Sequence, residues 1–245
     1  MMHLEESIIN RKNKIVCLVP ARSGSKGFKN KNISILNGKT LIEHAVLTSL
    51  KCSLIDETYI STDSKKYENI ALKAGAKSFG LRNKNLSSDH SKTVDVVINF
   101  LNNFKSKPDI LLILQPTSPI RTHLDIYNSI NLLRENNYDS VVSVCKHDEP
   151  HPMKLKVIKK NGIIKSYIPD GDSELPRQKL DKVFCLNGCI YLIKTEIIYN
   201  QLTLLPNKTF GYQMDKCFNI DSELDYLFLK YLFSINYFKN DKKKL

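Results

Sequence analysis

The sequence predicts an α/β fold in which a mostly parallel central sheet lies between two layers of helices. Short apolar runs alternate with amphipathic helical stretches over the first 145 residues, and this β-α repeat is typical of parallel sheets covered on both faces. The alternation stops near residue 146, and an apolar strand pattern returns at 188–193. We therefore expect a single domain, 1–245, that carries a small β-rich insertion at 146–182.

The predicted strands and helices follow one another in order. A strand buried on both faces of a parallel sheet is a continuous apolar run, and Pro20 ends the first such run. Thr40 can cap the first helix, and Gly75 lies where the second should end. The strands predicted before the insertion are 15–19, 57–61, 77–79, 110–114 and 140–144. The helices predicted between them are 40–51, 64–74, 91–104 and 123–136.

The insertion has a different pattern. Two short strand-like pieces, MKLKVI at 153–158 and GIIKSYI at 162–168, lie among Pro, Asp and Lys residues. This composition favours a small β-rich unit over another β-α repeat. A long amphipathic helix is predicted to begin near Ser222.

The composition narrows the class of protein. The net charge is +12, whereas the hydrophobic content of 42% is ordinary,. A nucleic-acid-binding protein would show basic residues interleaved with aromatic ones, or a recognisable module. The sequence has neither, so we expect an anionic small molecule as the partner and no nucleic acid.

The cysteines and the N-terminus indicate the compartment. The six cysteines are scattered without zinc-site or disulfide spacing,. Cys17 and Cys145 fall within apolar strand patterns, so we expect packed thiols there. The first residues lack the apolar core of a signal peptide, and no apolar run is long enough to span a membrane. The sequence therefore predicts a cytoplasmic protein without membrane contact.

A strongly cationic loop follows the first strand. The segment ARSGSKGFKNKN, residues 21–32, contains Arg22, Lys26, Lys29 and Lys31 and no acidic residue. A small-residue loop at the carboxyl end of a strand can turn backbone N–H groups toward an anion of high charge, such as a polyphosphate. The loop is neither a Walker A loop nor a G-x-G-x-x-G turn. The alternative interpretation is a solvated basic turn.

Four further polar segments follow predicted strands or precede helices. In STD at 61–63, Asp63 can orient a ligand or a basic side chain, or cap the next helix. LSSD at 86–89 offers either helix capping or two hydroxyl groups for a nucleotide. In QPTSPIR at 115–121, two prolines fix the backbone, so the amide and hydroxyl groups point in set directions,.

The fourth segment, NIDSELD at 219–225, contains a candidate metal site. Asn219 and Asp221 are two residues apart, so their side chains share one side of an extended chain. Two oxygen ligands suit Mg²⁺, which takes its remaining ligands from water and phosphate. A helix N-cap at Asp221–Ser222 is the alternative.

Together with SVVSV, HPMK, PRQ and NGCIY, these segments occur in an order that resembles the CMP-sialic acid synthetase (acylneuraminate cytidylyltransferase) family, including its members for legionaminic and pseudaminic acids. The resemblance runs from about residue 14 to 228. It implies a three-layer nucleotide-binding fold and the coupling of CTP to a nine-carbon, or eight-carbon, 2-keto sugar acid for surface glycan synthesis. It also implies a cofactor, Mg²⁺ or Mn²⁺, and a homodimer formed through the insertion.

The resemblance assigns roles to individual residues. Arg22 and Lys31 would stabilise the triphosphate and the departing pyrophosphate, and with Asp221 they form the catalytic set. Asp221 and Asn219 would bind the metal, and Lys154 would reach into the partner subunit's site. The implied nucleotide-binding residues are Ala21, Arg22, Ser23, Lys26, Lys31, Asn32, Arg82 and Ser88. The implied substrate-binding residues are Gln115, Thr117, Ser118, Lys154, Arg177, Asn187 and Tyr191.

The chain departs from the family pattern at two positions. Asn219 stands where the family often has Asp, which removes one carboxylate from the metal site. Cys185 stands where several members carry arginine, which bears on the preferred sugar acid. The sequence identifies no general base, and His151 is expected to pack locally. The alternatives are activation of the eight-carbon acid Kdo and a nucleotide-binding homologue without turnover.

Overall fold

The computed structural model describes residues 13–24, 27–88, 91–147, 149–169, 171, 174–215 and 218–238. The strands of its central sheet are β1 (Ile15–Pro20), β4 (Glu57–Ser61), β5 (Ile110–Ile113), β6 (Ser140–His147), β9 (Val183–Lys194) and β10 (Thr209–Met214). Two small hairpins lie outside that sheet, β2–β3 (Ile35–Leu36 and Lys39–Thr40) and β7–β8 (Lys156–Ile158 and Ile164–Ser166).

The sheet has the strand order β10-β6-β9-β5-β1-β4. β9 runs antiparallel to both of its neighbours, β5 and β6, and every other neighbouring pair is parallel. The prediction of a mostly parallel sheet is confirmed. The carboxyl ends of β1, β4 and β5 therefore meet at one edge, where ligands of such sheets bind.

Helices cover both faces of the sheet, as predicted. α1 (Leu41–Leu50), α2 (Lys65–Lys73) and α4 (His123–Glu135) pack on one face with Cys17, and α3 (Thr93–Leu101) and α5 (Thr195–Gln201) pack on the other with Leu18. α6 (Glu223–Ser234) packs in a separate cluster with Leu36 and Ile220. None of the described helices is long and apolar enough to cross a bilayer.

The predicted helix ends are found where local chemistry places them. Thr40 caps α1 in a reciprocal arrangement with Glu43, whose carboxylate accepts from the Thr40 backbone N–H,. Gly75 follows α2 with a φ of +102°, a left-handed conformation that glycine adopts without strain,. Ser222 caps α6 with Asp225 in the same way as Thr40 and Glu43, so the cap is Ser222 rather than Asp221.

Four elements differ from the sequence prediction. Within 77–79 only Lys77 bridges β4, at Tyr59, and the Phe79 ring stacks on Tyr59 with ring centroids 4.7 Å apart. The aromatic contact, rather than a strand, accounts for the apolar residue there. β10 and α5 were not predicted, and β9 begins at Val183 rather than 188.

β9 contains a large bulge opposite Ser143. Val142 pairs with Tyr191 and Val144 pairs with Leu186, so the four residues 187–190 of β9 lie opposite Ser143 alone and three of them are extra. The Ser143 hydroxyl holds the bulge by bonding to the Asn187 Oδ1 and by accepting from the Ile190 N–H at 2.7 Å. The bulge directly precedes Tyr191, which pairs with Ile113 at the carboxyl end of β5, so it lies at that edge of the sheet.

The described part of the segment between β6 and β9 contributes no strand to the central sheet. It contains the β7–β8 hairpin and two short 3₁₀ turns, Pro152–Lys154 and Arg177–Lys179. Its apolar side chains are unusually exposed, including Ile158 at 72% and Tyr167 at 65%. The described part of this segment therefore presents an apolar surface to its surroundings.

Candidate active site

A cleft of about 490 Å³ opens at the carboxyl ends of β1 and β5. It lies where the fold predicts a ligand site. Nine of the residues predicted from the sequence line it together: Arg22, Lys31, Asn32, Arg82, Ser88, Gln115, Thr117, Asn219 and Asp221. Positions spread over about 200 residues are thus brought into one cavity.

The cationic loop after β1 is held by its neighbours. The Ser23 N–H and hydroxyl both donate to the Asp63 carboxylate, at 2.8 and 2.9 Å, and the Ala21 N–H donates to the Ser61 carbonyl at 2.9 Å. Buried Asn32 donates to the Arg22 carbonyl at 3.0 Å. Asp63 therefore orients the loop, and Ser64 caps the helix. Lys26 lies outside the described residues.

Lys31 crosses the cleft to the segment before α6. Its Nζ lies 3.1 Å from the Asp221 Oδ1 and donates to the Ile220 carbonyl at 3.2 Å. A Cβ atom at Gly27 would lie 2.9 Å from the Asp221 carbonyl, so the loop and this segment are in close contact. The Asp221 carboxylate is exposed, whereas the Lys31 side chain is mostly buried.

Arg82 contributes a second cation from a buried position. Its Nε donates to the Ser87 hydroxyl at 3.1 Å and its Nη1 to the Ser61 hydroxyl at 3.4 Å. Burial lowers the pKa of the guanidinium, Asp63 opposes that shift, and Arg22 adds to it. An arginine remains charged under such a shift, so Arg82 presents a poorly solvated cation to an anionic ligand. The Ser88 hydroxyl lies 2.9 Å from that of Ser91.

The QPTSPIR loop forms the opposite wall and is held from behind by Arg121. The buried Nη1 of Arg121 donates to the Gln115 carbonyl at 2.9 Å and also to the Ser118 carbonyl. Burial lowers the pKa of Arg121, and the charge faces the Cys17 and Cys189 thiols. The two accepted hydrogen bonds fix the turn that directs Gln115 and Thr117 into the cleft.

The same loop is tied to the candidate metal segment. The Ile220 N–H donates to the Thr117 carbonyl at 2.8 Å, and the Ser118 hydroxyl donates to the Asn219 Oδ1 at 3.2 Å. Ser118 is fully buried and does not line the cleft. Asn219 in turn donates from its Nδ2 to the Asp221 Oδ2 at 2.7 Å. The amide therefore links the QPTSPIR loop to the exposed carboxylate.

The donor set at 219–221 fits a magnesium ion that is held mainly by its substrate. It offers one exposed carboxylate and one amide oxygen at a cleft lined by cations. Mg²⁺ binds through one or two carboxylates together with water and phosphate oxygens. No cluster of three or more His, Cys, Asp or Glu residues occurs among the described residues.

Four residues implied by the family resemblance lie away from this cleft. Asn187 is buried in the β9 bulge, where its Oδ1 also accepts from the Cys189 N–H at 3.1 Å. Tyr191 lies in β9 between β5 and β6, half-buried. Lys154 and Arg177 lie in the insertion, where both contact the Glu149 carboxylate, and Arg177 holds the pKa of Glu149 below its usual range.

Sequence reasoning missed two features of the site. Ser91, Thr93 and Val96 line the cleft from the start of α3, and no motif marks them. The role of Arg121 was also missed, although an arginine that closes a proline-fixed loop after a buried strand is a usable pattern. His151 is buried, with its Nε2 3.1 Å from the Asp181 carbonyl, so it packs locally as expected.

The fold and this cleft define an α/β protein with a cation-lined cleft at the carboxyl ends of its strands, and comparison with known sequences gives its family. The cytidylyltransferase family profile matches residues 16–229. The chain is 31% identical over 210 residues to an N-acylneuraminate cytidylyltransferase of Streptococcus agalactiae serotype V, covering 85% of this chain and 50% of that protein. It belongs to the cytidylyltransferase family, and it spans about half the length of that curated relative.

Two other similarities cover nearly the full length of both proteins. A CMP-N,N'-diacetyllegionaminic acid synthase of Legionella pneumophila is 30% identical over 237 residues, covering 91% of this chain and 97% of that one. The solved structure of a CMP:2-keto-3-deoxy-manno-octonic acid synthetase complexed with CTP superposes with a TM-score of 0.69 at 17% identity, covering 91% of this chain and 99% of that one. The latter likeness confirms the fold.

Proposed function

We propose that this chain is an enzyme that transfers the cytidylyl group of CTP to the anomeric hydroxyl of a sialic-acid-like nonulosonic acid. The products are the CMP-sugar, for surface glycan synthesis, and pyrophosphate. One observation carries the proposal: Arg22, Lys31 and Arg82 share a single cleft with Gln115 and Thr117. One wall therefore suits a triphosphate, and the other suits a polyhydroxylated acid.

The reaction needs charge stabilisation more than covalent chemistry from the protein. The sugar hydroxyl oxygen forms a bond to the α-phosphorus while the bond from that phosphorus to the bridging oxygen of pyrophosphate breaks. Arg22 and Lys31 neutralise the charge that develops on the departing pyrophosphate. Asp221 is the one carboxylate among the described residues that line the cleft, and no described His or Glu side chain lines it as a general base.

Magnesium is proposed as the cofactor, with Mn²⁺ as a substitute. Asp221 would be the principal protein ligand and Asn219 a weaker one, since its amide oxygen brings no charge. A bound ion would neutralise phosphate charge and hold the triphosphate in register with Lys31. Lys31 pairs with Asp221, so the carboxylate is held at the cleft.

The named relatives support a nine-carbon acid over the eight-carbon acid of the structural neighbour. The N-acylneuraminate and diacetyllegionaminic acid enzymes are 30–31% identical to this chain, and the octonic acid enzyme is 17% identical. Because CTP is the proposed donor substrate, we also propose a cytoplasmic location. A nucleotide-binding homologue without turnover is the competing function, and Asn219 is the residue that favours it.

We further propose a homodimer formed through the insertion. Exposed Ile158, Ile164 and Tyr167 on the β7–β8 unit are suited to burial against a second copy,. Lys154 and Arg177 lie outside the cleft of their own chain. In a dimer they would serve the partner subunit's sugar site. Within their own chain, both cations contact the Glu149 carboxylate.

A pyrophosphate-release assay tests the proposal. Purified protein is given CTP, Mg²⁺ and, in separate reactions, N-acetylneuraminic acid, N,N'-diacetyllegionaminic acid, pseudaminic acid and Kdo. We expect release with at least one nine-carbon acid and formation of the matching CMP-sugar by mass spectrometry. Release with Kdo alone would assign the eight-carbon substrate. CTP binding by calorimetry without release in any reaction would favour the homologue without turnover.

A further inference from the structure

The structure brings two cysteines together across β6 and β9. Cys145 and Cys185 are directly opposed in the antiparallel register, and their Sγ atoms lie 3.3 Å apart. Opposed residues in such a pair have Cα atoms about 4.5–5.5 Å apart, and disulfides form between Cα atoms about 4.4–6.8 Å apart. The backbone spacing of this pair is therefore the spacing that a disulfide needs.

The two thiols differ in their access to solvent. Cys145 is buried, at 3% exposure, whereas Cys185 is partly exposed near the edge of the insertion. An oxidant in solution therefore meets Cys185 first, and Cys145 is positioned to react second. Cys17, Cys52 and Cys189 are buried, and burial raises the pKa of the Cys17 thiol to about 12, so these cysteines are protected from the same chemistry,.

We propose that Cys145 and Cys185 are a redox-active pair that a small-molecule disulfide converts into an intramolecular disulfide. The Cys185 thiolate attacks one sulfur of oxidised glutathione, forming a mixed disulfide and releasing one glutathione thiolate. The Cys145 thiolate then attacks the Cys185 sulfur and releases the second. The protein loses two electrons and two protons, and oxidised glutathione becomes two molecules of reduced glutathione.

The bond would form beside the bulge that contacts the proposed sugar site. Closing the 3.3 Å gap to about 2.05 Å draws Cys185 toward β6,. Asn187 and Gly188 lie two and three residues after Cys185, and Gly188 packs against Gln115 and Ser118. Oxidation is therefore expected to lower the use of the sugar acid reversibly, an expectation that rests on the proposed function.

Mass spectrometry tests the disulfide without any activity assay. The full chain, in a Cys217→Ser background, is incubated with graded ratios of oxidised to reduced glutathione, alkylated and digested without reduction. We expect a peptide that links Cys145 to Cys185. In Cys145→Ser the glutathione adduct should remain trapped on Cys185, whereas Cys185→Ser should carry little adduct because Cys145 is buried.

Two results would overturn the proposal. One is the absence of the linked peptide in folded protein at the most oxidising ratio. The other is a linked peptide together with equal adduct on Cys145 in the Cys185→Ser variant, which would reverse the order of attack. If the linked peptide forms and the protein turns over no sugar acid, the disulfide stands and the proposed function fails.

Discussion

Gly188 lies against Gln115 so closely that a Cβ atom at position 188 would be 2.5 Å from the Gln115 Oε1. The same atom would lie 2.7 Å from the Ser118 hydroxyl. Gly188 also has a φ of +70°, in the left-handed region that side chains rarely adopt,. Only a glycine at position 188 therefore allows the QPTSPIR loop to lie where it does.

The first prediction concerns this contact. Gly188→Ala should raise the KM for the sugar acid and lower kcat, with less effect on the KM for CTP, because Gln115 must move. Gly162→Ala is the matched control, since Gly162 also has positive φ, at +80°, but has open space around it. Steady-state kinetics with both substrates varied measures the effect. Equal losses in the two variants would mean that backbone strain alone matters.

The second prediction concerns the cationic wall of the cleft. Arg22→Ala and Lys31→Ala should each lower kcat by ~10²–10³, because each removes one preorganised charge from the transition state. Lys29→Ala is the control, since Lys29 is an exposed cation of the same loop that does not line the cleft. Pyrophosphate release and the unfolding midpoint are measured together. Near-normal turnover in both cleft variants would refute the assignment.

The third prediction concerns the metal segment. Asn219→Asp should lower the Mg²⁺ concentration that gives half-maximal activity, because it replaces the amide that donates to Asp221 with a second carboxylate. Asp221→Asn should nearly abolish turnover. Glu223→Gln is the control, being an exposed acid two residues further on. If Asp221→Asn leaves the Mg²⁺ dependence unchanged, the metal is held elsewhere.

The fourth prediction concerns Arg121 as a positioning residue. Arg121→Met removes the charged donor of the Gln115 and Ser118 carbonyls. Among the described residues, the Gln115 carbonyl keeps the Ser118 N–H at 3.2 Å, and the Ser118 carbonyl keeps only the Cys189 thiol at 3.7 Å. Loss of hydrogen bonds to a charged group costs about 1.5–3 kcal/mol each. Urea unfolding should show this loss, and the KM for the sugar acid should rise more than that for CTP. Arg121→Lys should recover part of the stability.

Arg134 is a partly exposed cation on α4. Arg134→Met is therefore the control for loss of charge. A variant with normal sugar-acid kinetics and lowered stability would reduce Arg121 to a purely structural role.

The fifth prediction concerns Lys154. If the lysine serves the partner subunit's site, mixing Lys154→Ala subunits with Arg22→Ala subunits should restore part of the activity. In such a mixed dimer one site carries both defects and the other carries neither. Inactive single variants and an inactive mixture, with heterodimers verified by native mass spectrometry, would place Lys154 in its own subunit's chemistry.

The strands buried on both faces were predictable because their sequences are nearly continuous apolar runs. The ILLI run of β5 is buried at every position, and it was predicted to within one residue. β10 has only partly buried or exposed positions, and α5 follows β9 without any intervening breaker, so neither has a local pattern. Tertiary pairing, rather than propensity, decides such elements.

The cleft was predictable because its residues follow strand ends, and strand ends meet. Arg22 and Gln115 lie two residues after the ends of β1 and β5, which are neighbours in the sheet. The positions of Lys154 and Arg177 depend on the insertion, whose placement no periodicity encodes. The hydrogen bonds from Arg121 to the Gln115 and Ser118 carbonyls likewise depend on how the chain turns after Ser118. The residue types alone do not specify that turn.

The pairing of His147 with Val183 means that the chain leaves the sheet and returns to it at the same rung. The described residues between these two contribute no strand to the central sheet. Lengthening, shortening or exchanging this segment leaves the register of the central sheet unchanged. Sequence changes within this segment, and in the contacts it makes, are therefore uncoupled from the strand register that forms the cleft.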